Sequence, residues 1–139
     1  MKHIDYLYFN IYNYFYRLSH YRQSLTNNFR TQTMFLFSLG SGGWLLLIES
    51  IYLKFIKHTR FASPMQSMVF ASSIYLLTAA LFHYIFIVKD RDQKIYGKYE
   101  FLAEEHPNQK RHFLISLFVL AFPYLVLAAF ALIFPRTHQ

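Results

Sequence analysis

Three long stretches without charge decide most of what this chain can become. Thr31 to Leu53 carries one ionisable side chain, Glu49, and runs 18 uncharged residues before reaching it. Phe61 to Val88 covers 28 residues with His83 as its one ionisable group, and Phe113 to Phe134 covers 22 with none. A helix rises about 1.5 Å per residue, so about 20 apolar residues cross the ~30 Å hydrocarbon core of a bilayer. Backbone amides in hydrocarbon must be bonded internally, and helices do this within each run. Hiding three such runs in a soluble fold fails on supply. Only 15% of the 139 residues are charged, against about a quarter in a soluble domain, and 55% are hydrophobic. The fold class read from the sequence is all-α: an integral membrane protein with three transmembrane helices and an N-terminal interfacial amphipathic helix.

Basic residues set the expected direction of insertion, because Lys and Arg beside a span tend to stay on the cytoplasmic side. Lys2, Arg17, Arg22 and Arg30 precede the first span, and Lys89, Arg91, Lys94, Lys98, Lys110 and Arg111 separate the second from the third, ten in all. Lys54, Lys57, Arg60 and Arg136 make four on the other side. The expected layout is a cytoplasmic interfacial helix over 1–30, an external loop over 54–62, a cytoplasmic helical loop over 89–112 and an external tail over 135–139, with spans over 31–53, 63–88 and 113–134. Ser63-Pro64 opens the second span as a cap followed by proline at the first helical position. The first apolar run is long enough to span and has no A-x-A site behind it, so it is expected to stay as an anchor. With no cysteine, disulfides, thiolate nucleophiles and Cys-ligated metals are excluded. The net charge of +7 reads as an orientation signal and a collar for a lipid bilayer with anionic headgroups, rather than as a nucleic-acid footprint.

Outside the spans, residues 4–22 place Ile4, Leu7, Tyr8, Ile11, Phe15 and Leu18 on one helical arc, with six of the chain's 12 tyrosines in this segment. Tyrosine's apolar ring and polar hydroxyl suit the headgroup boundary, so the helix is expected to lie on the leaflet. In the segment between the second and third spans, Ile95, Tyr99 and Leu102 form an apolar strip. It is expected to continue the second span as a helix, to end at Pro107, and to offer a strip that docks on the N-terminal helix.

Ionisable groups within spans are the first functional candidates, because hydrocarbon penalises them. Glu49 lies five residues before Lys54 and His83 six before Lys89, which leaves roughly 14 Å between them vertically in a ~30 Å core and argues against a direct relay. Glu49 is expected to snorkel toward Lys54, Lys57 or Arg60, or to serve a coupling ion. His83 is expected to sit at the depth of Ser38, Gly40 and Ser41, hydrogen-bonded and neutral. Ser38, Gly40, Ser41, Gly42 and Gly43, with Ser67 and Ala71 in the second span, form small-residue patches for close helix packing, within the chain or with another subunit. Pro123 should kink the third span and free a carbonyl for neighbours to satisfy. Paired carboxylates, zinc-protease spacings, a serine elbow and a soluble phosphate loop are all missing, so no catalytic, metal or cofactor site is expected.

The segment DYLYFNIYNYFYR, two apolar spans, YGKYEFLAEE and a last span resemble, in order and layout, a group of small bacterial multi-pass membrane proteins without an established activity. That resemblance implies a bacterial inner-membrane setting and no mechanism. GSGGWLLLIESIY is similar to the glutamate-bearing first span of small multidrug exporters, which have four short spans against three here. His83 on a three-span chain is similar to the haem-ligating histidine of succinate dehydrogenase anchor subunits, whose arginine- and serine-bearing quinone signature is missing. The expectation is a non-catalytic interaction or accessory subunit that binds another membrane protein or its own copies. The alternatives are an oligomeric transporter or channel using Glu49, and an immunity-type protein that binds a membrane toxin.

Overall fold

The computed structural model describes residues 2–21, 28–58, 63–105 and 108–133, and every regular element among them is helical. Helix α1 covers Lys2–Tyr21, and α2 covers Phe29–Ile51 with a π-helical extension at Tyr52–Ile56. Helix α3 covers Pro64–Phe82 with a second π-helical extension at His83–Val88, α4 covers Arg91–Glu105, and α5 covers Gln109–Ile133. Over Phe29–Ile56, Pro64–Val88 and Gln109–Ile133 the chain is long and apolar enough to cross a membrane three times. It is an all-α, three-span membrane protein with an N-terminal helix. Pro107, Arg22, Arg60, Arg136 and the tail 135–139, for which expectations are stated above, lie outside the described residues.

Helix α2 is the axis of the bundle. It packs on α1, α3 and α5, and 39% of its apolar stretch is buried, against 11% for α3 and 17% for α5. Its glycines are what let two neighbours approach at once. A Cβ on Gly40 would stand 2.5 Å from Leu120 of α5, one on Gly43 would stand 2.7 Å from the ring of Tyr124 of α5, and one on Gly42 would stand 2.7 Å from Tyr75 of α3. Gly40 and Gly43 thus admit α5, and Gly42 admits α3. The Tyr75 and Tyr124 hydroxyls meet at 2.8 Å, and Tyr124 donates onward to the Leu39 carbonyl at 2.7 Å. Two phenols that would otherwise stand unpaired in hydrocarbon are satisfied where the glycines let them in.

Pro123 is fully buried inside α5, which runs unbroken through it. Proline has no amide hydrogen, so the carbonyl four residues earlier, that of Val119, loses its helical partner. The indole Nε1 of Trp44 in α2 donates to that carbonyl at 3.1 Å. The repair comes from a side chain of another helix.

At one end of the bundle, here called the cap end, α1 and α4 close over the spans. Helix α4 does not prolong α3, contrary to the expectation of one continuous helix. The chain turns at Asp90, whose φ of 49° lies in the left-handed region that aspartate tolerates better than most residues. The Asp90 carbonyl then accepts from Lys94 N at 3.3 Å and starts α4. At the other end of α3 the expected cap is present: Ser63 accepts from Gln66 N at 3.2 Å, with Pro64 at the first helical position.

Candidate functional site at the cap end

Helix α1 buries one continuous arc of its surface. Tyr8 and Ile11 have no exposed surface, and Phe9, Tyr12 and Asn13 are buried with them. The apolar arc that composition assigns to the headgroup boundary is spent on the protein itself. Tyr8 stacks on Phe86, at 4.1 Å between centroids and 3° between planes, and meets Phe37 edge-on at 5.3 Å. Tyr12 and Tyr16 meet Phe29 edge-on, and Tyr14 stacks on Phe113 at 3.9 Å. Tyr6 reaches His112 and Phe15 reaches Phe113, so about 13 Å of α1 passes one turn of α5 and the two helices cross. Asn10 Nδ2 donates to Ser116 Oγ at 3.1 Å, fixing that crossing by a polar contact.

The strip on α4 docks on α1 as its spacing suggested. Ile95 is buried, Tyr99 packs against Tyr6 and Phe9, and Tyr96 packs against Phe9, Tyr12 and Tyr16. A cavity of about 20 Å³ between α1, α4 and α5, with Asn10, Asn13 and His112 in its wall, has room for one water. The Asn13 Oδ1 atom is buried without a hydrogen-bond partner among the described residues.

An ionic clamp holds these layers together. Arg30, in the first turn of α2, grips Asp92 in the first turn of α4 through Nε at 2.6 Å and Nη2 at 2.8 Å, and it reaches Asp90 through Nη2 at 2.7 Å. Asp92 is fully buried, and its Oδ1 also accepts from Gln93 N at 2.8 Å. Arg91 donates to Asp5 of α1 at 3.1 Å. Asp5, Asp90 and Asp92 are all the aspartates in the chain, and all serve this network. Arg30 and Arg91, which the charge count placed in a lipid-facing collar, are instead neutralised within the protein, because a desolvated carboxylate requires a paired cation.

The clamp also shapes the phenols around it. Burial, reinforced by the negative charge of Asp92, pushes the Tyr12 hydroxyl from the ordinary 10.0 up to about 12, and the Tyr8 hydroxyl is raised further for the same reasons. Tyr8 Oη is buried with no hydrogen-bond partner among the described residues. Both oxygens of Asp92 are engaged, so the arrangement fixes α2 against α4.

The candidates singled out by position are not brought together. Glu49 is half-buried near the far end of α2, with no ion pair among the described residues. Lys54, its nearest expected partner, instead lies over the rings of Phe55 and Phe130, at 5.7 and 5.5 Å. His83 is exposed at the start of the π-helical extension of α3, whereas Ser38 and Gly40 are buried in α2. Ser67 bonds back to the Pro64 carbonyl at 2.7 Å and, like Ala71 and Ser41, is half-buried. Among the described residues no three His, Asp or Glu side chains gather to hold a metal ion. Sequence reasoning missed the Arg30–Asp92 pair although a signal existed: Arg30 opens one span and Asp90 and Asp92 close its antiparallel neighbour, so all three fall at one depth. No family model matches the chain, and no curated protein or solved structure matches it.

Proposed function

We propose that this chain is a non-catalytic accessory subunit of a membrane complex, set in a bacterial inner membrane with its N-terminus and cap on the cytoplasmic side. The observation that carries this reading is the exposure of α3. Only Thr78 is buried along Pro64–Phe82, and Met65, Met68, Leu76 and Leu77 are each more than 70% exposed. Helix α3 rests on α2 and adds the Tyr75–Tyr124 bond, leaving most of its circumference to lipid or to another helix. The Gly40, Gly42 and Gly43 patch is filled by Leu120, Tyr75 and Tyr124, so it offers no groove to a partner. The Asp92 clamp and aromatic cap are closed on themselves in the same way. Helix α3 stays the most open of the three spans, and Ser72 and Ser73 are exposed on it.

The test is a photo-crosslinking residue placed at Leu76, activated in native membranes before purification. A crosslinked product containing a second membrane protein or a second copy supports the proposal. Recovery of the uncrosslinked chain, alone and monomeric in detergent, overturns it.

A further inference from the structure

Asn13 is a polar residue on the buried arc of α1 whose place the packing of rings does not explain. It is 4% exposed, and its Oδ1 atom has no hydrogen-bond partner among the described residues. A leucine of similar size would need no partner there, whereas an amide oxygen taken out of water without a donor is costly. Its neighbours on the helix show what the position faces. Tyr6, Phe9, Asn10 and Asn13 follow the i, i+3, i+4, i+7 spacing that puts side chains on one helix face, and all four line the cavity at the cap end. Gln109 and His112, at the start of α5, form its second side, and Leu102 of α4 forms the third. Asn10 gives its Nδ2 directly to Ser116 of α5, at 3.1 Å. Asn13, one turn further along α1, lines the same cavity and reaches no donor among the described residues.

The size and the lining of the cavity decide what can meet that oxygen. A volume of about 20 Å³ exceeds the ~10–15 Å³ that one water requires and is too small for an organic ligand. Among the described residues the wall has no carboxylate, so a metal ion or an ammonium ion would lie there without a counter-charge. Amide and imidazole groups suit a small neutral molecule that both donates and accepts. Water fits on size, on charge and on hydrogen-bonding character.

We propose that this cavity is a binding site for a single internal water, which donates one hydrogen to Asn13 Oδ1 and bonds to polar groups of the α5 side. The seam between α1 and α5 is then made twice by amides one turn apart, directly at Asn10 and through solvent at Asn13. The site lies at the cap end and holds whether or not α3 has a partner.

The test is oxygen-17 relaxation dispersion of the solvent, which counts waters held inside a protein for longer than it takes to tumble. It is applied to the full chain in detergent micelles and to Asn13→Leu, with circular dichroism and Trp44 fluorescence confirming that the fold is kept. The expected result is a dispersion amplitude that falls by the equivalent of one water in the variant. An equal amplitude overturns the proposal, because Asn13 is then satisfied by protein or wetted by freely exchanging solvent. A second measurement needs no variant and decides the matter if Asn13→Leu does not fold. In the unsubstituted protein labelled with nitrogen-15 asparagine, cross-peaks from water to the Asn13 side-chain amide should appear with opposite signs in laboratory-frame and rotating-frame Overhauser spectra, the mark of a held water. Absence of those cross-peaks, or equal signs, overturns the proposal.

Discussion

Trp44 shows how one atom can settle the depth and rotation of a helix. Its indole N–H is bound to the Val119 carbonyl that Pro123 leaves unpaired. Trp44→Phe should therefore destabilise the bundle by about 0.6–1.7 kcal/mol, the range for hydrogen bonds between membrane helices. In a Pro123→Ala background, where the amide of residue 123 can serve Val119 itself, the same substitution should cost less. A double-mutant cycle in mild detergent measures that difference. The phenols give a pH signature. Because burial raises Tyr12 from 10.0 to about 12, its contribution is complete below pH 10. It is lost as the pH rises through the folded value, since the unfolded chain ionises first. Thermal unfolding followed from pH 9 to 12 should show a fall in stability that is shallower for Tyr12→Phe. Proline's effect on its own helix was readable from the sequence. The donor that answers it was not, because that depends on the rotation of α2 against α5.

At the scale of helices, the glycines of α2 decide which pairs pack. Gly40→Ala would put a methyl 2.5 Å from Leu120 Cδ2 and 2.6 Å from its Cβ. The expected cost of overpacking is about 1–3 kcal/mol, and Leu120→Ala should recover part of it by making room. Thermal stability of the single and double variants checks both statements. The spans themselves were legible to within a few residues, because hydrophobic length is a one-dimensional property: 31–53 against Phe29–Ile56, 63–88 against Pro64–Val88, and 113–134 against Gln109–Ile133. The docking of Ile95 and Tyr99 on α1 was legible from their spacing. The break between α3 and α4 was not, since it turns on the left-handed backbone of Asp90, which is neither glycine nor proline. The surroundings of α1 were hidden for another reason. A tyrosine-rich arc suits a headgroup boundary and a protein interface equally, and only the tertiary fold shows that Tyr8 packs into a cluster with Phe37 and Phe86.

For the molecule as a whole, the clamp is what joins a membrane bundle to its cap. Arg30→Ala strands the fully buried carboxylate of Asp92 and should cost about 3–5 kcal/mol. Asp92→Asn should cost less, because the guanidinium it releases is already 25% exposed and retains Asp90. Unfolding of the two variants in detergent tests the asymmetry. Charge counting treats these basic residues alike, whereas in the fold Lys89, Lys94 and Lys98 are exposed and Arg30 and Arg91 are paired, because pairing is a property of the folded chain. The central claim is that α1 is built into the bundle as its closing layer and does not float on the leaflet. The most direct measurement places cysteines at Asn10 and Ser116, whose side chains are 3.1 Å apart, in the otherwise cysteine-free chain reconstituted in vesicles. Treatment with a short bis-maleimide, which alkylates one thiol at each end, should join residues 10 and 116 within one molecule in high yield, and a control cysteine at exposed Ile4 paired with Ser116 should join poorly. Equal and low yields for both pairs would show that α1 lies away from the spans and would contradict the account.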